Sequence, residues 1–276
     1  MVNVVISFPA KNEEKNLDKV LQSIINQTHK PYKVVIANDG STDNTRKILE
    51  KYDIVDIHDR PTQLGTVVGK REMANVWNSS LIPVIEMNKS VKIDYLIFLG
   101  ADIVLPPNYI SQLLNKFENN SNLKIASGIM TGKHAYKSTG FMIPGPGRII
   151  DFDYWLSLGG KYIVNEGWEA YPIYRANLDG FETKVFDDIP YHPLRPTGGR
   201  TDYFAYGQAM KALGYSKLFG IGRILKQPFL QSRTIISSWH MFRGFFFGKT
   251  EYYEEELRNY VKKSQIERLK SIFKIF

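Results

Sequence analysis

The sequence predicts an α/β protein with a mostly parallel central sheet flanked by helices and a helical C-terminal extension. Two observations carry this prediction. Short apolar segments alternate with helical segments in the first half of the chain, and a single carboxylate, Asp102, follows the most apolar of them, at residues 95–99, after the small-residue break Gly100-Ala101. Apolar segments without polar alternation are typical of parallel strands that are covered on both faces. Alternation with helices places those strands in one doubly wound sheet.

The individual elements of the first half follow from local patterns. The first helix is predicted from apolar residues at helical spacing, namely Leu17, Val20, Leu21, Ile24 and Ile25. The remaining predictions are strands at residues 2–8, 32–38, 54–58 and 95–99, a loop at 9–14, a turn at 39–45 that runs into a helix capped by Ser41 or Thr42, and a loop entering a helix at 65–75. The order is therefore βαβαβαβ.

Polar clusters follow three of these strands, at residues 9–14, at residues 38–43 and at Asp102. Because the carboxyl ends of parallel strands share one edge of a sheet, we expect the three clusters to line one crevice, where open α/β sheets bind ligands. Taken alone, Asp102 is equally well explained as a turn or helix-capping aspartate before Pro106 and Pro107. The convergence of three clusters favours a ligand role.

The second half is less regular. Residues 131–148 are rich in Gly, Lys and Pro and predict a long loop. The other predictions are a helix at 109–117, a strand at 124–129, a short helix at 151–158, a helix entered at 166–169, extended pieces at 183–187 and 191–195, a flexible turn at 197–200 and a helix at 202–213. We place one domain at residues 1–225 and a helical, basic, aromatic-rich extension at 226–276.

The last helix, predicted at 251–276, has two interpretations. Its apolar stripe and its basic second half are typical of a helix that lies on an anionic membrane, and the phenylalanines at 245–247 keep this interpretation open. Alternatively the helix packs on its own domain with a solvated basic face, which the sequence slightly favours. The expected location is the cytoplasm, with peripheral contact at the cytosolic membrane face through this helix.

Composition and missing motifs exclude several functions. The 276 residues contain no cysteine, which excludes disulfides, thiol catalysis and Cys-ligated zinc, and the formal charge of +8 indicates an anionic partner. Residues 65–70 resemble a phosphate loop, but the spacing is one residue short and Arg71 stands where Ser or Thr would bind magnesium. No Gly-x-Gly-x-x-Gly motif follows the first strand, and no apolar run reaches membrane-spanning length. P-loop NTPases and nicotinamide dehydrogenases are therefore disfavoured.

Three motifs together resemble those of family 2 glycosyltransferases, which have the GT-A fold. They are Ile-Ser-Phe-Pro-Ala-Lys-Asn-Glu at 6–13, Asn-Asp-Gly-Ser-Thr-Asp at 38–43 and Phe-Leu-Gly-Ala-Asp-Ile-Val-Leu-Pro-Pro-Asn at 98–108. The resemblance implies an inverting, metal-dependent enzyme that moves a sugar from a UDP- or GDP-linked donor to a hydroxyl of a polysaccharide, glycan or lipid-linked acceptor. It implies no nucleic-acid partner.

The resemblance also implies roles for individual residues. Nucleotide-sugar binding is expected from Pro9, Ala10, Asn12, Glu13, Asp39, Lys70, Arg71, Ala101 and Asp102. The Asp-x-Asp motif of the family reads Gly100-Ala101-Asp102, so its first acid is missing, and Asp102 matches the member that meets Mg²⁺ or Mn²⁺. His192 lies where similar enzymes place a metal-binding or phosphate-facing histidine, although a histidine before a proline is also explained by structure alone.

The general base of the family lies in a Glu-Asp pair at a helix start. Residues 167–170 resemble that pair with Ala170 in place of the second acid, so Glu169 is the expected base, with Glu166 and Asp188 in reserve. A carboxylate suits this role because the acceptor hydroxyl must lose a proton as it attacks. A glutamate in the first turn of a helix is also explained by the helix dipole.

Two other functions stay open. A catalytically degenerate nucleotide-sugar-binding protein would account for the two replaced acids. A nucleotidyltransferase is the second alternative, because related sheets bind nucleotides in the same way and a fold does not fix a function. Trp168 and Tyr171 suit either stacking on a sugar ring or packing in the core.

Overall fold

The computed structural model describes residues 2–60, 70–135, 142–196, 201–229 and 234–273, and the chain divides into two compact units. The first unit consists of Met1–Gly65, Asn75–Tyr162 and Gly180–Thr197. The second consists of Thr66–Ala74, Ile163–Asp179 and Gly198–Phe276. A domain boundary at residue 225 stays a prediction.

An eight-stranded sheet forms the centre of the first unit. Its strands are β1 (Val4–Ala10), β2 (Lys33–Asp39), β3 (Val55–Arg60), β4 (Tyr95–Phe98), β5 (Ile103–Val104), β6 (Leu123–Met130), β7 (Arg148–Asp151) and β8 (Glu182–Pro193). The spatial order is β3-β2-β1-β4-β7-β6-β8-β5. The first four strands pair in parallel, as do β6 and β8, whereas β7 is antiparallel to both neighbours and β5 to β8. The predicted mostly parallel sheet is confirmed.

Helices cover the sheet and build the second unit. They are α1 (Leu17–Ile25), α2 (Thr45–Leu49), α3 (Glu72–Asn88), α4 (Tyr109–Glu118), α5 (Phe152–Ser157), α6 (Tyr171–Leu178), α7 (Tyr203–Ala212), α8 (Lys217–Lys226), α9 (Ile235–Phe247) and α10 (Glu255–Phe273). Four of the five apolar residues predicted for the face of α1 are fully buried, and Ile25 is half-buried. The four buried residues join side chains from β1 and β2 in one core, which fixes the strand ends that carry the polar clusters.

The structure departs from the sequence-based expectations around β7 and β8. Strand β7 begins at the last residue of the predicted loop 131–148, and residues 136–141 lie outside the described chain, as does the predicted turn at 197–200. The two extended pieces expected after residue 182 form one strand, β8. A register shift next to Gly128 makes this possible, and a Cβ on Gly128 would lie 2.0 Å from the carbonyl oxygen of Ile189.

Helices α7 and α9 of the second unit pack with their backbones in close contact. A Cβ on Gly207 of α7 would meet the Met241 carbonyl oxygen of α9 at 2.1 Å, and one on Gly244 would meet the Phe204 carbonyl oxygen at 2.0 Å. This close contact makes residues 235–247 a helix with Phe245 buried in a small core. Among the described residues, no helix is both long and apolar enough to cross a bilayer.

Candidate functional site

Hydrogen bonds of Asn12 connect the loop after β1 to the turn after β2. The Asn12 backbone N–H donates to Ser41 Oγ (3.1 Å), and its side-chain oxygen accepts from the Thr42 N–H (2.8 Å). Asn12 has a φ of +53°, a left-handed conformation that asparagine tolerates better than most residues. Ser41 and Thr42 therefore bind the first loop, and the prediction that one of them caps α2 is wrong.

The N-cap of α2 is Asn44, and a carboxylate beside it satisfies the helix N-terminus. Asp43 accepts from the Thr45 N–H at 2.9 Å and from the Thr45 hydroxyl at 2.5 Å. Burial acts to raise the pKa of Asp43, but these hydrogen bonds and one from the Glu14 N–H outweigh it and lower the pKa below its ordinary value. Asp43 thus stays ionised and holds the two loops together.

Asp39 lies at the end of β2 and is almost completely buried, with 2% of its surface exposed. Its carboxylate pairs with Arg60 at 2.5 Å, from the end of the neighbouring strand β3, and with Lys11 at 3.8 Å, from the loop after β1. A buried carboxylate needs such compensation. The nucleotide-binding candidates Pro9, Ala10 and Asp39 therefore lie on adjacent strand ends of the first unit, because Ala10 pairs with Asn38 in the β1–β2 ladder.

Arg195, just beyond β8, connects the polar cluster at residues 9–14 with Asp102. Its guanidinium donates to Asp102 at 2.7 Å, after β4, and also to Glu13, after β1. Glu13 is 6% exposed. Burial disfavours the charged form of Arg195, but the two carboxylates outweigh it and raise the guanidinium pKa above its ordinary value. The expected convergence of the three clusters at one sheet edge is therefore observed within the first unit.

Arg195 is a site residue that the sequence motifs did not select. It is 182 residues from Glu13 along the chain, so no local spacing links them. The one available signal was its place after an extended segment, the position that the other polar clusters share.

Gly100, which stands in place of the first acid of the aspartate motif, has little room for a side chain. A Cβ built on Gly100 would lie 2.8 Å from Asp102 Oδ1 and 3.1 Å from an Ile103 side-chain carbon. A larger residue at position 100 would therefore require the Asp102 side chain to shift. Ala101, the middle residue of the motif, is 5% exposed.

Asp102 and His192 are the two donors that the sequence assigns to a divalent cation. The β5–β8 ladder pairs Val104 with His192, and the Leu194 N–H donates to the Asp102 carbonyl, so Asp102 and His192 are close along this strand pair. Within the described residues, no three His, Asp or Glu side chains form a metal-binding group. A carboxylate and an imidazole suit Mn²⁺ or Mg²⁺ only if the diphosphate supplies further oxygens.

Replacing Arg195 by glutamine should lower the free energy of unfolding by about 1–3 kcal/mol, because the buried Glu13 carboxylate loses its charged partner. The measurement is urea denaturation followed by circular dichroism. The matched control is Arg46→Gln, whose exposed guanidinium pairs with Glu50 and Asp59 and should contribute about 1 kcal/mol or less. Equal losses in the two variants would contradict a special role for Arg195.

The second unit brings the basic pair at 70–71 next to the segment at 166–169. The Trp168 indole N–H donates to the Lys70 carbonyl at 3.3 Å. Arg71 lies 3.9 Å from the carboxylate of Glu166, and Lys70 lies 3.7 Å from that of Asp202. Lys70 and Arg71 are thus neighbours of the acidic segment at 166–169 within this unit. The resemblance assigned these two groups separate roles.

The three carboxylates considered for the general base have different surroundings. Glu169 is exposed and precedes Ala170, the N-cap of α6, so it lies just before the helix and not in its first turn. Glu166 is 7% exposed, accepts from the Thr250 hydroxyl at 3.1 Å and faces Arg71. Asp188 belongs to the first unit, and a hydrogen bond from Lys116 lowers its pKa.

The two aromatic candidates for sugar stacking contact other residues of the protein. Trp168 is 6% exposed. Tyr171 stacks on Tyr253 with ring centroids 5.0 Å apart, and its hydroxyl donates to Glu254 at 3.2 Å. Burial and Glu254 raise the pKa of Tyr171 to about 12. Core packing therefore accounts for Trp168, whereas Tyr171 is half-buried against Tyr253.

Comparison with known proteins identifies related sequences. A family profile described as Glycosyl transferase family 2 matches residues 5–136. The poly(ribitol-phosphate) beta-N-acetylglucosaminyltransferase TarP of Staphylococcus aureus (strain N315) is 30% identical over 149 residues, 52% of this chain and 40% of that protein. A 4,4'-diaponeurosporenoate glycosyltransferase of S. aureus (strain USA300) is 43% identical over 58 residues, 20% of this chain and 15% of its own length. The chain thus matches less than half the length of these relatives.

Solved structures share the fold at low sequence identity. S. aureus TarS 1-349 in complex with UDP-GlcNAc has a TM-score of 0.56 at 14% identity and covers 87% of this chain and 70% of its own. The mannosyltransferase PcManGT from Pyrobaculum calidifontis, in complex with GDP-Man and Mn²⁺, has a TM-score of 0.54 at 13% identity, with coverage of 98% and 75%. These structures confirm the predicted GT-A fold.

Proposed function

Because residues 5–136 match the Glycosyl transferase family 2 profile, we propose that this chain transfers a sugar from a UDP- or GDP-linked donor to an acceptor hydroxyl. The observation that carries the proposal is the Glu13–Arg195–Asp102 network. It joins two carboxylates and a cation at the sheet edge where open α/β folds bind nucleotides. In this proposal Asp39 and the loop at 9–13 hold the base and ribose.

The site needs positive charge where the diphosphate leaves. Arg195 supplies a permanent cation. The proposed nucleotide-binding role of Lys70 and Arg71 rests on the sequence resemblance. Asp102 and His192 would hold Mg²⁺ or Mn²⁺ together with diphosphate oxygens. A bound cation of this kind would neutralise charge on the leaving group.

The reaction itself is a substitution at the anomeric carbon. The acceptor oxygen forms a bond to that carbon while its proton moves to the carboxylate of Glu169, and the bond to the diphosphate oxygen breaks with its electron pair leaving on the diphosphate. Attack opposite the leaving group inverts the configuration. Glu169 is favoured over Glu166 because an acceptor must reach the base, and Glu169 is exposed whereas Glu166 is buried.

The acceptor is proposed to be a glycan, a polysaccharide or a lipid-linked molecule. The names of two relatives support this range, since one is named for poly(ribitol-phosphate) and the other for 4,4'-diaponeurosporenoate. The donors bound in related folds, UDP-GlcNAc and GDP-Man, support both nucleotide bases.

A nucleotide panel tests the donor site directly. UDP, GDP and dTDP, each with and without Mn²⁺, should separate in thermal unfolding, because a ligand at a hundred times its Kd stabilises a protein by about 2.7 kcal/mol. For a chain of this size that is a rise in Tm of about 5–10 °C. We expect one diphosphate to give the full rise with Mn²⁺ present, while Mn²⁺ alone gives none.

Failure of all three nucleotides to raise the Tm would contradict the proposal. Assays of turnover separate the two alternatives. A rise in Tm without transfer or hydrolysis of any sugar donor would favour a degenerate binding protein. Release of pyrophosphate from a nucleoside triphosphate and a sugar phosphate would identify a nucleotidyltransferase.

A further inference from the structure

Large apolar side chains are exposed in one stretch of the second unit. They lie on α8, on the single 3₁₀ turn Gln227–Phe229 and on the start of α9. Their exposed fractions are 69% for Leu218, 41% for Ile221, 66% for Leu225, 87% for Phe229, 77% for Ile235, 67% for Ile236 and 57% for Trp239. Single exposed apolar residues are ordinary, but a concentration of this kind marks an interaction surface.

These side chains share faces of neighbouring helices. On α8 the spacing of Leu218, Ile221 and Leu225 is i, i+3 and i+7, which places them along one side. Helix α9 contacts both α8 and the 3₁₀ turn, so its exposed Ile236 and Trp239 belong to the same part of the unit. We call the seven residues the apolar surface.

The chain segment that carries the apolar surface has no acidic residue. Residues 203–250 contain no Asp or Glu but seven Lys and Arg, at positions 211, 217, 223, 226, 233, 243 and 249. Lys217 and Lys226, at the two ends of α8, are exposed. Next to Leu218, a cavity of about 940 Å³ is lined by Lys217, Arg258, Lys262 and Lys270 without an acidic side chain.

We propose that the apolar surface binds an anionic lipid bilayer, with α8 and the start of α9 lying in the membrane interface. Exposed Leu, Ile and Phe side chains next to Lys and Arg form the pattern of helices that bind in the plane of a bilayer. Trp239 suits the boundary between headgroups and acyl chains. Basic residues beside an apolar face gain electrostatic attraction to anionic headgroups.

A second copy of the chain fits this surface less well. Self-association through it would bring two acid-free, cationic stretches together, which costs free energy. An anionic bilayer supplies the opposite charge to the same stretch. Charge complementarity therefore selects the bilayer as the occupant.

This surface differs from the membrane contact that the sequence suggested. Leu257 and Val261, which begin the apolar stripe of α10, are fully buried, and Phe245 is 6% exposed. The favoured interpretation of α10, packing on its own domain, fits this burial. The apolar surface lies on helices preceding α10, and the proposal is independent of the sugar-transfer reaction.

Trp239 provides an intrinsic probe for the test. The chain has four tryptophans, of which Trp155 and Trp168 are buried and Trp77 is half-buried, whereas Trp239 is exposed. Vesicles of phosphatidylcholine with phosphatidylglycerol should shift the emission of the wild type to the blue, and Trp239→Phe should remove the shift. Brominated phosphatidylcholine in the same vesicles should quench the wild type more than Trp239→Phe.

Co-sedimentation with the same vesicles measures affinity. The surface variant, Leu225→Glu with Phe229→Glu, should lose at least about tenfold in partition coefficient because it replaces two apolar anchors by two like-charged repulsive groups. The matched control is Tyr32→Glu with Ile82→Glu, two exposed apolar residues of the first unit that give the same change in net charge. The control should stay within about twofold of the wild type, and both variants should keep the wild-type Tm.

Each outcome of the vesicle experiments either supports the proposal or overturns it. Binding to anionic vesicles that is lost in the surface variant, kept in the control and weakened by 0.5 M NaCl supports the proposal. No binding of the wild type, or equal binding of the two double variants, overturns it. Self-association that the surface variant abolishes, without vesicle binding, would assign the surface to a second copy and would also overturn it. The nucleotide panel tests the sugar-transfer proposal independently of vesicle binding. Failure of either proposal therefore leaves the other unaffected.

Discussion

Asp102→Asn is expected to lower kcat/KM for sugar transfer by about 10²–10³, the usual cost of removing one group that stabilises charge in a transition state. Asparagine keeps the size of the side chain but removes the charge that pairs with Arg195 and that would attract a divalent cation. Steady-state kinetics with the donor identified by the nucleotide panel would measure the loss. A titration with Mn²⁺ should show a higher half-saturating concentration in the variant.

The control for Asp102 is Asp56→Asn, which removes the same charge from β3. Asp56 pairs with Lys33 at 3.2 Å, and both side chains are about one-third exposed, so its loss should leave kcat/KM within about twofold. If Asp102→Asn kept its activity to within fivefold of the wild type, the proposed role of this carboxylate would be wrong. A parallel drop in Tm for both variants would point to stability alone.

Glu169→Gln is expected to lower kcat by about 10²–10⁴ while the affinity for the nucleotide stays unchanged. A general base acts as the acceptor loses its proton, so its removal affects the transition state and not the binding of the donor. Steady-state assays give kcat, and thermal shift with the bound diphosphate gives the affinity. Glutamine preserves the shape of the exposed side chain, which limits any effect on folding.

The reserve carboxylates serve as controls for Glu169. Glu166→Gln disturbs a buried group that accepts from Thr250 and faces Arg71, so it should reduce stability and change kcat only a few-fold. Asp188→Asn loses an exposed pair with Lys116 and should be close to neutral. Loss of turnover in Glu166→Gln, with turnover retained in Glu169→Gln, would transfer the role of base to Glu166.

The sequence predicted the first half of the fold because its signals are local. Strands β1, β2 and β4 are runs of apolar residues, and α1 has its apolar residues at helical spacing, so a few neighbouring positions suffice to assign each of them. Parallel strands share one carboxyl edge, so the convergence of the polar loops also followed from chain order alone.

The second half depended on contacts that no local pattern records. Strand β7 has four residues and forms because β4 and β6 provide partners on both sides. Helix α9 combines thirteen largely apolar residues with no clear periodicity, and its position depends on the close approach at Gly207 and Gly244. In both cases the stabilising partner is not a sequence neighbour, so local secondary-structure propensity does not predict the element.

By itself, the sequence determined the parallel half of the sheet, the three polar clusters and the candidates Asp39, Asp102 and Glu169. Only the tertiary structure decided that Arg195 bridges Glu13 and Asp102, that Glu166 is buried while Glu169 is exposed, and that the apolar side chains of α8 and α9 face outward. The physical reason is the range of the interactions. Hydrophobic periodicity acts over a few residues, whereas ion pairing and burial are set by chain segments that meet only after folding.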